Sequence, residues 1–359
     1  MMANPVMILA GGTGGHVFPA LAVAEVLAER GVPVVWLGTR RGLEARVVPA
    51  AGVPIEYLPV RALRGRHWVD TLTAPFMLMR ALWHAVRCLA RHRPRAVLGM
   101  GGYVAGPGAV AAFLRRAPLI IHEQNTVPGM TNRWLARLAT RVLTGFDVSF
   151  PGAPGARFVG NPVRRAIGAI PAPEQRFAER DGPLRLLVIG GSLGARALNE
   201  RLPRALARLQ TSAPPVIRHQ AGDRTIETAR DAYRQAGVEA EVSEFIDDMA
   251  AAYAWADLVV CRAGALTVAE LAAAGVPALF IPFPYAVDDH QTRNAAYLVN
   301  AGAAELIQER DSDAASLAGV LDRLLSDRQR LAAMAQRARE KGRPDAVDRV
   351  AECCLEVAS

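Results

Sequence analysis

Lysine is almost missing from this 359-residue chain: Lys341 is the only one among 42 basic residues, so nearly every positive charge is Arg. Coding composition alone produces such a bias, and no single Arg therefore implies a ligand. Aromatic residues make up only 6%, and no zinc finger, recognition helix or RNP-like stretch occurs. The formal charge of +8 therefore does not read as a nucleic-acid surface, and no nucleic-acid partner is expected. Cys88, Cys261, Cys353 and Cys354 have no CxxC spacing and no adjoining His pattern, which excludes a disulfide framework and a zinc site and fits a reducing cytoplasm. No apolar run reaches 18 residues, so no spanning helix is expected. The run at residues 6–10 is too short, and too uncharged in front, for a signal peptide.

With 51% hydrophobic residues, a chain of this length has enough apolar surface for about two globular domains. Charge is unevenly spread. Residues 1–160 carry 18 basic and 7 acidic residues, +11, and the remainder, 24 against 27, carries −3. The basic face belongs to the first half.

Short apolar runs at 6–10, 34–37, 96–98 and 119–121 alternate with helical patterns, one of them spanning Ala20 to Arg30. That alternation is the mark of a parallel sheet covered on both faces. The opening phrase of apolar strand, glycines and helix recurs at residues 184–196, and later runs at 258–260 and 278–281 continue a second sheet. The expected fold class is α/β, with two Rossmann-like doubly wound domains at 1–160 and 161–340 and a cleft between them. A last helix near 347–357, within 341–359, is expected to return to the first domain.

Each glycine loop offers bare backbone and free helix-start amides to an anion. Residues 11–16 (GGTGGH) fit the dinucleotide fingerprint only loosely, and Thr39-Arg40-Arg41 stands where an acidic ribose ligand would be needed. NADP tolerates those arginines, which keeps a dehydrogenase as an alternative. His16 falls on the crevice side of a strand end, where a general base is useful. Residues 262–270 (RAGALTVAE) lead small residues into a second anion-binding helix start. Near its first turn, Glu270 is equally well placed as a ribose ligand or as a helix-dipole partner. Ser192 is either an N-cap or a phosphate ligand. Asp247-Asp248 and Asp288-Asp289-His290-Gln291 lack any further ligand pattern and read as loop or sugar contacts rather than a metal site.

Residues 61–95 hold eight Arg and one acid, Asp70, with Leu72, Phe76, Met79, Leu82, Trp83 and Val86 spaced by three and four. This is an amphipathic helix with basic edges. Its apolar stripe suits a domain core. Pro75, the cluster Arg64-Gly65-Arg66-His67 and the surplus charge instead favour a monotopic membrane contact through Phe76, Met79, Trp83, Arg80 and Arg87.

Residues 11–19 (GGTGGHVFP), 98–106 (LGMGGYVAG), 122–125 (HEQN), 160–164 (GNPVR), 190–195 (GGSLGA), 244–249 (EFIDDM) and 261–270 (CRAGALTVAE) stand in the order found in the MurG family of bacterial glycosyltransferases, family 28. The chain resembles that family over almost its whole length. The resemblance implies a GT-B fold and an inverting transfer, without a cofactor or required metal, of N-acetylglucosamine from UDP-GlcNAc to the muramyl O4 of lipid I, giving lipid II. It also implies a peripheral location at the cytoplasmic face of the inner membrane, an anionic membrane surface as partner, and further partners in the cell-wall and division machinery.

For the donor, the family implies Ile246 at the uracil, Glu270 at the ribose, and Ser192, Arg164 and the amides of Ala265, Leu266 and Thr267 at the diphosphate. Val268 and Ala269 belong to the same motif. Gln291 and Asn125 would hold the sugar. Thr13, Gly14 and Gly15 would receive the acceptor pyrophosphate and border the donor, with Tyr103 and Asn125 on the acceptor side and His16 as base. Leu193 and His290 depart from the family pattern, which has Gln at both places in many or some members. The alternatives are a UDP-GlcNAc 2-epimerase or another UDP-sugar enzyme of the same fold, and a sugar-nucleotide binding module without turnover.

Overall fold

The computed structural model describes residues 4–60, 68–191, 194–211 and 213–358, apart from the side chains of 68–74 and 287. It divides into two compact units, Met1–Arg164 with Pro344–Ser359, and Arg165–Arg343. The first junction falls four residues later than the sequence suggests, after Arg164, and the second three residues later.

In unit 1, β1 (Val6–Ala10), β2 (Val34–Gly38), β3 (Ile55–Tyr57), β4 (Ala96–Gly101), β5 (Leu119–Glu123), β6 (Arg141–Thr144) and β7 (Arg157–Phe158) form one parallel sheet in the order β3-β2-β1-β4-β5-β6-β7. The strands are apolar throughout because both faces are covered. Val6, Ile8 and Ala10 alternate to one side with Trp36 and Leu98, and Met7 and Leu9 to the other with Leu37 and Val97. The first side is packed by α1 (Gly14–Glu29) and by the helix Ala346–Glu356, so the end of the chain does return to unit 1. A short helix, α2 (Glu44–Ala50), follows β2.

The second side is packed by α3 (Trp68–His92) and α4 (Ala105–Leu114), and α5 (Met130–Leu135) follows β5. In α3 the apolar spacing resolves into two faces. Ala81, Ala85, Cys88 and Leu89 are buried and Leu82 and Val86 partly so, whereas Phe76, Met79 and Trp83 point outward at 76%, 59% and 54% exposure. The stripe expected as one face is therefore split, Leu82 and Val86 turned toward the core and Phe76, Met79 and Trp83 toward solvent, with the Leu72 side chain outside the described ones. The cluster at residues 64–67 lies outside the described residues.

In unit 2, β8 (Arg185–Ile189), β9 (Val216–Gln220), β10 (Glu241–Ser243), β11 (Leu258–Cys261), β12 (Ala278–Phe280) and β13 (Ala304–Leu306) form a second parallel sheet, β10-β9-β8-β11-β12-β13. Its own core gathers Leu186, Val188, Leu258, Val260 and Leu279 with Leu198, Leu202, Leu321 and Leu331. Both sheets reverse strand order beside their first strand, between β1 and β4 and between β8 and β11. Ligands of such sheets bind beyond the carboxyl ends at that reversal. The two glycine loops lie at these places.

Candidate active site

On unit 1, the loop after β1 turns into α1 six residues earlier than the hydrophobic period suggests, at Gly14 rather than Ala20. Glycine's low helix propensity hides the start, but close approach requires it: a Cβ on Gly14 would stand 3.0 Å from Phe18. Thr13 is the N-cap in extended conformation, exposed, with its carbonyl accepting from His16 and Val17 N–H at 3.1 and 3.2 Å. The amides at the start of α1 therefore face the loop with no acceptor in the helix.

His16 rests against the backbone of β4's end. A Cβ on Gly101 would lie 2.6 Å from its Nδ1, and Gly101 and Gly102 both adopt the left-handed φ (+107° and +84°) that glycine alone tolerates well. Burial holds the imidazole pKa below its ordinary 6.5, opposed by the Glu123 carboxylate, the Gln124 side chain and the Met100 backbone. A ring kept neutral at neutral pH is in the state a base requires. Tyr103 follows on the same edge, 53% exposed.

Asn125 is held from beneath. Its N–H and Nδ2 donate to Glu123 Oε1 at 2.9 and 3.2 Å, while Glu123 Oε2 accepts from Gly129 N–H at 3.0 Å and Asn132 Nδ2 at 2.8 Å. Glu123, 2% exposed, thus spends its charge on fixing the loop, a role the sequence reading did not assign. His122 donates its Nε2–H to the Gly160 carbonyl at 2.9 Å, and burial lowers its pKa to about 4. Arg164, the last residue of unit 1, places its guanidinium 5.6 Å from the Phe18 ring centre. Thr13, Gly14, Gly15, His16, Tyr103, Asn125 and Arg164 therefore all belong to unit 1.

On unit 2, the helix Ala265–Ala274 starts after an extended Gly264. Its first closing bond runs from Val268 N–H to the Gly264 carbonyl at 3.0 Å, so Ala265, Leu266 and Thr267 present amides with no acceptor inside the helix. Val268 is fully buried and its amide is used, which leaves it out of direct ligand contact; Ala269 is half-buried one position on. Glu270 is the sixth residue rather than a first-turn residue, 6% exposed, with Oε2 accepting from the Tyr253 hydroxyl at 3.0 Å. Ile246 is half-buried beside exposed Phe245.

Gln291 Oε1 accepts from Phe283 N–H at 2.9 Å and lines a cavity of about 450 Å³ with Ala195, Arg196, Arg262, Phe283 and Glu309. Arg262 and Glu309 were not singled out in the sequence. Arg262 donates to the Ile281 and Pro282 carbonyls at 2.9 and 3.1 Å and pairs with the Glu309 carboxylate, partners 19 to 47 residues away that no local pattern reveals. Ser192 and Leu193 lie outside the described residues, and the cap of the helix Arg196–Leu206 is Ala195. Asp248 caps the helix Met249–Trp255, accepting from Ala251 N–H at 2.9 Å, while Asp288 and Asp289 take left-handed φ ahead of His290.

Residues 6–144 match the glycosyltransferase family 28 N-terminal domain, and residues 185–350 match the glycosyltransferase family 28 C-terminal domain. The chain belongs to glycosyltransferase family 28. It is 63% identical, over 99% of its length and all of the relative's, to the UDP-N-acetylglucosamine--N-acetylmuramyl-(pentapeptide) pyrophosphoryl-undecaprenol N-acetylglucosamine transferase of Alkalilimnicola ehrlichii. It is 56% identical to the transferase of the same name from Nitrosococcus oceani, over 100% of both chains. The crystal structure of Acinetobacter baumannii MurG is similar with a TM-score of 0.84 at 42% identity, covering 99% of this chain and 100% of that one. UDP-GlcNAc 2-epimerase from Neisseria meningitidis shares the fold alone, at 13% identity and a TM-score of 0.65 over 99% of this chain and 100% of that one. The family 28 assignment makes this chain a glycosyltransferase of two Rossmann-like domains, as the strand-glycine-helix repeat suggests.

Proposed function

We propose that this family 28 enzyme transfers N-acetylglucosamine from UDP-GlcNAc to the O4 hydroxyl of the muramyl sugar of lipid I, forming lipid II. What carries the reading is the 63% identity, end to end, to a transferase of that name, in a chain that keeps both glycine loops. Unit 2 takes the donor, with Ile246 at uracil, Glu270 at ribose, the amides of residues 265–267 at the diphosphate and Gln291 at the sugar. Arg164, Asn125 and the Thr13–Gly14–Gly15 turn contribute from unit 1, where the same turn and Tyr103 receive the acceptor.

His16 removes the O4 proton as the oxygen attacks the anomeric carbon. The bond to UDP breaks on the opposite face, inverting the centre. Charge growing on the leaving diphosphate meets helix-start amides and the Arg164 guanidinium. Radiolabel transfer from UDP-GlcNAc to a short-chain lipid I analogue tests this. Product is expected at undiminished rate with EDTA present. UDP-GlcNAc consumed without labelled disaccharide product would favour the epimerase, and binding without any turnover would favour the non-catalytic module.

The outward face of α3 supports a peripheral membrane contact on the anionic leaflet. Phe76, Met79 and Trp83 follow at i, i+3 and i+7, Arg80 is exposed beside them, and the Arg87 guanidinium stands 4.6 Å from the Trp83 ring centre. Phe113 and Leu114 on neighbouring α4, and Met130 and Trp134 on α5, add exposed apolar side chains, with Arg137 over Trp134 at 4.8 Å. Among the described residues no helix is long and apolar enough to cross a membrane. Apolar rings with cationic edges suit partial insertion. Replacing Phe76 and Trp83 with Ser removes about 2 kcal/mol of transfer energy, or roughly thirty-fold in partition onto anionic vesicles. Co-sedimentation measures it, with an unchanged melting temperature as the sign that neither ring is core.

A further inference from the structure

Glu44 stands near the place where a dinucleotide enzyme keeps its ribose carboxylate, after the second strand, yet it is fully buried. Its Oε1 accepts from the Thr39 N–H at 2.8 Å and the Thr39 hydroxyl at 2.7 Å, and its Oε2 accepts from the Gly12 N–H at 2.9 Å, 32 residues away. Among the described residues no Arg, Lys or His forms an ion pair with it, and its carboxylate is met there by these hydrogen bonds. Glycines clear the space around it. A Cβ on Gly11 would come within 2.6 Å of Oε1, one on Gly38 within 2.8 Å of Cγ, and Gly42 packs directly on the carboxylate. Burying a carboxylate is costly unless donors converge on it. Here three do, and the one on Gly12 belongs to the glycine loop itself.

We propose that Glu44 is a positioning residue for the acceptor loop, fixing the Gly12 peptide so that the Thr13 cap, the first amides of α1 and the His16 ring are presented in one arrangement. The loop is gripped from three sides. Glu44 holds Gly12, with its left-handed φ of +94°. The Trp36 indole N–H donates to the Ala10 carbonyl at 2.8 Å just before it. Gly101 and Gly102 lie against His16 and the Gly11 backbone. Sites that act by pre-organised geometry lose rate when such supports loosen, even though the support touches no substrate. This role rests on the reading of unit 1 as the acceptor side.

Glu44→Gln is the diagnostic change, because it keeps volume and shape. The amide oxygen replaces the two bonds at Thr39, but its NH₂ then faces the Gly12 N–H, donor to donor, and that single contact fails. In full-length Glu44→Gln, amide hydrogen exchange is expected to rise over residues 11–16 and not over β4, β5 or the helix Ala346–Glu356. The kcat/KM for the lipid I analogue is expected to fall roughly ten-fold or more, at a temperature well below the melting transition. The acid limb of the pH profile, set by His16, is expected to persist in the residual activity. Wild-type kinetics in Glu44→Gln would overturn the proposal, as would exchange raised evenly over unit 1 or failure of that variant to fold, either of which marks an ordinary core residue. If the wild-type enzyme makes no lipid II analogue, the proposed reaction fails, and the exchange pattern still decides whether Glu44 fixes the loop.

Discussion

His16→Ala is expected to lower kcat by about 10²- to 10⁴-fold, the range that a positioned general base supplies, while UDP affinity stays at the wild-type value. The sign of the accompanying pH effect follows from the environment of the ring. Burial lowers its pKa below 6.5, so the neutral imidazole persists to more acidic pH than a solvent-exposed histidine would allow. Since the neutral form is the base, kcat/KM is expected to be level near neutral pH and to fall only as pH drops through that lowered value. His16→Ala should remove this acid limb together with the rate. Stability is linked in the same direction: the unfolded chain binds a proton near 6.5 that the folded ring resists, so this group's contribution is complete above 6.5 and declines as pH falls below it. A rate profile and a denaturation series on the same samples separate the two, because the catalytic limb is read where the protein is still folded. Turnover undiminished in the Ala variant would remove His16 from the chemistry and leave it as filling between α1 and Gly101.

What the residues disclose unaided is the repeated phrase of strand, glycines and helix, because a fully covered parallel strand reads as a continuous apolar run and a ligand loop must be made of glycine. That phrase places both loops at strand ends, and the strand order, which only the fold shows, puts those ends at its reversals. It does not place the start of α1, since Gly14 and Gly15 are poor helix formers and only Gly14 has a close neighbour, Phe18. Nor does it assign the faces of α3, where Leu82, Val86 and Leu89 turn toward the core while Phe76, Met79 and Trp83 of the same apolar pattern are exposed. The supporting carboxylates were illegible for a different reason. Glu44 meets Gly12 across 32 positions and Glu309 meets Arg262 across 47, and neither pair is created by anything but the tertiary fold. Glu123 is a nearer case. Its four donors lie within nine residues, so an acid following an apolar strand and preceding Asn125, Gly129 and Asn132 is a loop-fixing signature that a sequence reading can use.

Glu270→Ala is expected to raise the apparent KM for UDP-GlcNAc by roughly 10- to 100-fold with a smaller change in kcat, from the loss of one or two hydrogen bonds to a charged acceptor. The helix-dipole alternative weakens once the helix is seen, because the macrodipole acts within the first turn and Glu270 is the sixth residue of ten. A carboxylate buried to 6% exposure needs converging donors. The Tyr253 hydroxyl supplies one to Oε2, and in the proposed donor pose the vicinal hydroxyls of the ribose would add to it. Loss of affinity alone would not identify the ribose, since truncation also strips Tyr253 of its acceptor and can disturb the helix Met249–Trp255. A ligand-side substitution resolves this. Wild-type enzyme is expected to bind 2′-deoxy-UDP more weakly than UDP, whereas Glu270→Ala should bind the two alike, the coupling between residue and hydroxyl being what a double-mutant cycle isolates. Tyr253→Phe, which keeps the carboxylate but removes the tyrosine hydroxyl bonded to it, should preserve the preference for UDP. If Glu270→Ala still discriminates fully between the two nucleotides, the carboxylate serves Tyr253 and the helix packing alone, and the ribose contact must be sought elsewhere on unit 2.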